Sequence, residues 1–159
     1  MATLAVLTVV AVAAAAWFGV AWASAARDDG LAQAEQRDAV LRAAERGLVT
    51  LHTIDHREAE RDVAAWLDVT AGGLHRDLEG DRAGQVEQAR QTKTVSSAEL
   101  LRAAVTELNA HAGTARVIAV LEVTLEARGE KASTGRKRLN ADLVRRDGQW
   151  QVSAVEAAA

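Results

Sequence analysis

Polar and apolar positions alternate in three different ways along this chain. From Met1 to Ala26 there is no charged side chain at all. At roughly 1.5 Å per residue in a helix, that run is long enough to cross a bilayer core. Trp17 and Trp22 lie toward its C-terminal end, where interfacial aromatics sit, and Arg27, Asp28 and Asp29 close it. Between residues 30 and 92 the apolar positions take helical spacing. Leu41, Ala44, Leu48 and Leu51 recur at intervals of three and four, with Arg37, Asp38, Arg42, Glu45 and Arg46 on the wet side. Ala59, Val63, Trp66 and Leu67 give a second apolar face. Leu74, Leu78, Val86 and Ala89 give a thinner one over a third helix at about 74–92.

From residue 94 the period changes to two. Ala115, Val117, Ala119, Leu121, Val123, Leu125 and Ala127 alternate with largely polar neighbours, the mark of a half-buried strand. Ile118 and Val120 interrupt the polar side of that strand, so part of the outer face is expected to be covered as well. A strand over about 137–146 carries Leu139, Ala141 and Leu143 inward. Asp147-Gly148 is a two-residue hairpin turn, and Trp150 and Val152 lead the last strand. Residues 95–108 complete the set as a strand with Leu101, Ala103 and Val105 on one face, although their Glu and Leu content also suits a helix. His111-Ala112-Gly113 turns the chain between the first two strands. Helices followed by an antiparallel meander predict an α+β domain, with about three helices packed on one face of a curved sheet of about four strands.

The domain division follows: residues 1–29 as a membrane anchor and 30–159 as one domain. A cleaved signal peptide is the competing reading, because Ala23-Ser24-Ala25 is a small-x-small site. The apolar run exceeds the usual length of a signal core and no basic segment precedes it, which favours the anchor. A buried core helix is disfavoured, since a helix apolar all round needs protein on every side. Charge alone orients the anchor poorly, because Arg27 is followed at once by two aspartates.

Composition narrows the chemistry. Cysteine is absent, which excludes disulfides and thiolate metal sites, and proline is absent too. Residues 27–92 carry nine Lys/Arg against fourteen Asp/Glu, and residues 93–159 carry ten against eight. With no Tyr and one Phe, there is neither a concentrated basic face nor a stacking platform, and nucleic acid is not an expected partner.

One stretch invites a catalytic reading. Leu51–Asp68 packs His52, Asp55, His56, Glu58 and Asp62 close together. A capping box explains it better, with Asp55 as the N-cap, Glu58 reaching back from the third helical position, and a helix starting at about His56. That places His52 at the end of one helix and His56 at the start of the next, which dissolves a metal-ligand spacing. Gly72 is expected to end this helix as a left-handed residue, His75 to be a surface histidine, and Trp66 and Trp150 to be core. Arg136-Lys137-Arg138 is expected at a solvated hairpin end after a loop over 129–135, with anionic lipid or an acidic partner as its functional alternative. No residue is assigned a catalytic, cofactor-binding or metal-binding role, and no cofactor is expected.

Three features together resemble a known family. They are the apolar N-terminal run, the stretch Thr53-Ile54-Asp55-His56-Arg57 leading to Leu67-Asp68-Val69-Thr70-Ala71-Gly72, and the closing run Leu143 to Glu156 with its Asp-Gly-x-Trp-x-Val core. This pattern is similar to the Mce-associated membrane proteins of actinobacteria, which accompany mammalian-cell-entry lipid-import systems. The resemblance implies a cone-shaped domain like nuclear transport factor 2 on the extracytoplasmic side of the cell membrane. It implies an accessory, non-enzymatic role in assembling or stabilising a lipid importer, with the bilayer and Mce-type subunits as partners. It brings no catalytic residues with it. The alternatives are an assembly subunit of another envelope or secretion machine, a lipid carrier using the pocket of the cone, and, as the least favoured, a small isomerase or hydratase built on Asp55 and His56.

Overall fold

The computed structural model describes Trp17 and residues 30–128 and 130–158. The expected anchor over 1–29 therefore lies outside the described residues, Trp17 aside. Among the described residues no helix is long and apolar enough to cross a membrane. The chain divides into two compact units, Met1–Gln36 and Arg37–Ala159. In the first, residues 30–36 are helical.

The second unit is α+β. Its helix α1 occupies residues 37–51. It is followed by a short strand β1 (Ile54–Asp55) and helices α2 (Ala59–Asp68), α3 (Gly72–Gly80) and α4 (Arg82–Thr92). Four long strands close the chain: β2 (Val95–Asn109), β3 (Thr114–Glu126), β4 (Ser133–Arg146) and β5 (Gln149–Ala157). They form one antiparallel sheet in the order β1-β2-β3-β4-β5. Sheet and helices thus number five and four, against about four and three expected. The extra strand has only two residues, too few to show a period of two. The extra helix arises because the stretch expected as one helix over 74–92 breaks at Asp81.

The core follows the strand alternation. Val117, Leu121, Leu143 and Val152 are fully or almost fully buried on one side of the sheet, against Val40, Ala44 and Leu48 of α1. The stripe on α1 is centred on Val40, Ala43, Ala44 and Leu48, while Leu41 and Leu51 are half-buried at its edges. Gly47 sets how closely α1 approaches β5. A Cβ at this position would lie 2.5 Å from Val152 Cγ2. A smaller cluster, Ala59, Val63, Val86 and Ala89 with Ile54 and Trp66, joins α2 and α4 near β1.

β2 is a strand, as its position in the meander predicted, but its faces change phase. Irregularities between Leu100 and Arg102 and between Val105 and Glu107 leave Leu101 and Thr106 without partners in the ladder. Leu100, Ala103, Val105 and Leu108 consequently pack on the core, and Leu101 is the bulged residue rather than a member of the Ala103–Val105 row. Two bulges on one strand add local bend and twist. The hairpins behave as their residues require. Asp147 and Gly148 both have positive φ, 50° and 80°, as the tight turn demands, and Gly113 has φ 67° in the β2–β3 turn. β4 begins at Ser133, so Arg136, Lys137 and Arg138 lie within a strand rather than at its mouth.

Candidate functional site

The polar stretch after α1 is organised by the sheet, and the capping box does not form. Asp55 pairs with Val95 in the β1–β2 ladder, and the backbone N–H of His56 donates to the carbonyl of Thr94 at 2.9 Å. Residues 55 and 56 are thereby committed to the sheet, and α2 starts only at Ala59, with Glu58 at its N-cap position and no side-chain cap. The Asp55 carboxylate instead accepts from the backbone N–H of Arg57 at 2.9 Å. It also accepts from the Arg57 guanidinium through Nε at 2.9 Å and Nη2 at 2.6 Å. These bonds hold its pKa down at about 2. The reach-back expected of Glu58 is made by Asp62, whose Oδ2 accepts from the Asp55 N–H at 2.7 Å.

The two histidines do not converge. His52 follows the last turn of α1, and its Nδ1 donates to the carbonyl of Leu48 at 2.8 Å. Burial pushes its pKa below the ordinary value. The bond to Leu48 opposes that shift, and the nearby Lys137 ammonium adds to it. His56 Nδ1 lies 3.6 Å from Asp55 Oδ1, too long for a hydrogen bond, and has no other partner. Among the described residues no group of three or more His, Asp or Glu is placed to hold a metal ion.

The other singled-out residues also find local partners. Gly72 does take a left-handed φ of 65°, but it opens α3; α2 ends at Asp68 with Val69 in right-handed geometry. Val69 to Ala71 run alongside β5, with Val152 N donating to Val69 O and Ala71 N to Val152 O. His75 is half-buried rather than a surface residue. Its Nδ1 donates to Leu67 O at 3.1 Å, beside the buried Thr70, whose hydroxyl donates to Trp66 O at 2.8 Å. Trp66 is half-buried and donates from Nε1 to Thr53 O, and the Arg145 guanidinium stands over half-buried Trp150 at 5.7 Å.

Two of the solvent-facing regions bear on the expected binding readings. At the β3–β4 end of the core side, His52, Ser96, Val123, Leu125, Gly135 and Lys137 line an open groove of about 360 Å³. On the outer face of the sheet, Ile118 is 40% exposed and Val120 is half-buried. The interruption of polar residues in β3 was the sequence signal for this patch. The expectation that it is covered is not met by the described residues. Around it, Arg116 is paired with Asp142 at 2.7 Å and Glu107 at 3.4 Å, and Arg136 with Glu122 at 3.5 Å.

Residues 1–159 match the family described as uncharacterized protein Rv1363c/MT1408-like. The chain belongs to that family. It is 29% identical over 123 residues to the uncharacterized protein Rv1363c of Mycobacterium tuberculosis (strain ATCC 25618 / H37Rv), a match covering 77% of this chain and 47% of that one. The chain thus matches about half the length of its curated relative. Among solved structures, the periplasmic domain of DotI is similar with a TM-score of 0.60 at 16% identity, over 76% of this chain and 95% of that domain. An IcmL-like type IV secretion system protein from Legionella pneumophila subsp. pneumophila str. Philadelphia 1 is similar with a TM-score of 0.57 at 10% identity, over 73% and 87%. At these identities the likeness is one of fold.

Proposed function

We propose that this protein is a non-enzymatic assembly subunit of a cell-envelope machine. Residues 1–29 hold it in the membrane as a single span, and its α+β domain works on the extracytoplasmic side. The observation that carries this reading is the likeness of the domain to the periplasmic domain of DotI and to an IcmL-like type IV secretion system protein, over 95% and 87% of those chains. Fold does not fix function, and two side-chain observations support the reading. A hydratase or isomerase needs a buried carboxyl with a raised pKa facing an oxyanion donor. Asp55, half of the pair considered, is instead ion-paired with Arg57 and held ionised. The space between the middle of α1 and the sheet is filled by Val40, Ala44 and Leu48, which leaves a carrier the open groove beside His52.

A narrower reading names the machine as an Mce-type lipid importer. It rests on the run from Thr53 to Gly72 and on the closing Leu143–Glu156 segment, which resemble the Mce-associated proteins. On this reading the lipid belongs to the importer, and the domain contributes protein contacts.

Placement and role are tested separately. The natural chain has no cysteine, so Glu87→Cys on the exposed side of α4 gives one labelling site. A membrane-impermeant maleimide should label it in intact cells; labelling only after lysis would contradict the exported placement. Depleting the protein should lower the steady-state level of the machine's other membrane subunits. Unchanged levels with full lipid uptake would contradict the assembly role.

A further inference from the structure

The outer face of the sheet is open among the described residues, and its register bears on what can occupy it. Three rows cross its centre, each read along the strand pairing. The first is Ala104, Ile118, Asn140 and Glu156; the second is Arg102, Val120 and Arg138; the third is Glu99, Glu122 and Arg136. Below them lie Glu107, Arg116 and Asp142. An apolar centre of Ile118, Val120 and Ala104 is thus ringed by charge of both signs. Ala104, Arg102 and Arg138 are exposed along with Ile118, so among the described residues no element lies over this face. Such a mixture fits neither an anionic bilayer nor a strongly charged partner, each of which would select one sign. It fits a surface that carries its own complement.

We propose that this face docks on the same face of a second copy of the chain, forming a two-fold pair of packed sheets. An isologous contact requires that residue i meet j while j meets i. Turning one sheet end over end, about an axis crossing the strands at Ala119, meets that requirement. It lays Ile118 on Val120 of the second copy, Arg116 on its Glu122, and Asp142 on its Arg136, and every pair occurs twice. Arg138, which has no carboxylate within 4 Å among the described residues, meets the Asn140 amide. One like-charge pair arises, Glu107 with Glu99 at the β2 rim, where Glu107 is already tied to Arg116. The other two-fold arrangement, with its axis along β3, sets Arg102 against Arg138 and Glu107 against Asp142. It is the less favourable one.

The size is adequate. β3 has 13 residues, so at about 3.3 Å per residue and about 4.8 Å between strands, β2–β5 present roughly 40 by 15 Å. That is on the order of 600 Å² per copy, somewhat below the roughly 800 Å² per partner of a standard interface. An apolar centre with arginines around it is also the composition that concentrates binding energy. The proposal does not rest on the envelope reading, and the two fail separately.

The test uses the full chain in detergent. Light scattering should give the mass of two chains at micromolar concentration. Ile118→Arg should give the mass of one, weakening association at least about 100-fold, while Ile118→Val keeps the pair. Ile118 is partly exposed, so the arginine variant should keep the unfolding temperature of the monomeric fold. A second readout avoids that dependence: Ile118→Cys should link to dimer with a short bis-maleimide, and Glu87→Cys on α4 should not. A one-chain mass at every concentration, a pair that survives Ile118→Arg, or equal cross-linking at 87 and 118 would overturn the proposal.

Discussion

At the scale of single residues, the question raised by His52, Asp55, His56, Glu58 and Asp62 has a structural answer, and it predicts how the protein responds to acid. The Arg57 guanidinium lowers the Asp55 pKa from 3.8 to about 2. A carboxyl with a depressed folded pKa binds its proton more readily when the chain is unfolded. It therefore stabilises the fold above about pH 4, and that contribution is lost as pH falls toward about 2. Asp55→Asn should flatten the stability profile across that window in acid titrations followed by circular dichroism. The same slope in both proteins would refute the pairing. His52 is also lowered, chiefly by burial. The unfolded chain then takes up the proton first, so His52 costs stability as pH drops below 6.5. Its ring resonances should titrate below 6.5 by NMR, and Lys137→Met should move the midpoint up. The polar stretch itself was legible in the sequence, but its arrangement was not. Which acid reaches back across the turn depends on residues 55 and 56 being held by Thr94 and Val95, some forty positions away.

Elements obey local rules where the rules are strong and override them where tertiary contacts are. The 147–148 turn and the β3 alternation were legible because two positive φ angles and a period of two leave few other solutions. The phase of β2 was not, because a bulge inserts a residue without a sequence mark. The end of α4 shows a local cost that can be removed. Lys93 takes φ 49°, with its N–H on Arg90 O and the Thr94 N–H on Ala89 O, the paired bonds of a left-handed helix cap. Glycine adopts that conformation without strain, so Lys93→Gly should stabilise by about 1 kcal/mol in urea melts. A loss of stability would show that the lysine side chain matters more than its backbone. Gly47 is the opposite case. Gly47→Ala forces a methyl to 2.5 Å from Val152 and should cost roughly 1–3 kcal/mol as α1 is pushed off β5.

For the whole molecule, the outline of helices first and meander second was readable from the change of period near residue 94, and with it the α+β class. Burial explains why: Leu121, Leu143 and Val152 each need the side of the sheet that faces α1, and a one-residue slip of any of their strands would turn that strand's apolar set outward. Leu121→Ala should accordingly cost about 2–5 kcal/mol, against little for Leu125, which is 44% exposed at the end of the same strand. Function is less legible, because an interaction surface needs no motif. Its sequence trace is the two apolar residues that break the polar side of β3. The proposed role in assembling an envelope machine is open to direct test by affinity purification of the full-length chain from detergent-solubilised native membranes, with mass spectrometry of what remains bound. Stoichiometric recovery of the membrane subunits of one envelope complex is expected, with Mce permease and shaft proteins among them if the narrower reading holds. Recovery of the protein alone, carrying lipid but no subunits, would contradict that role.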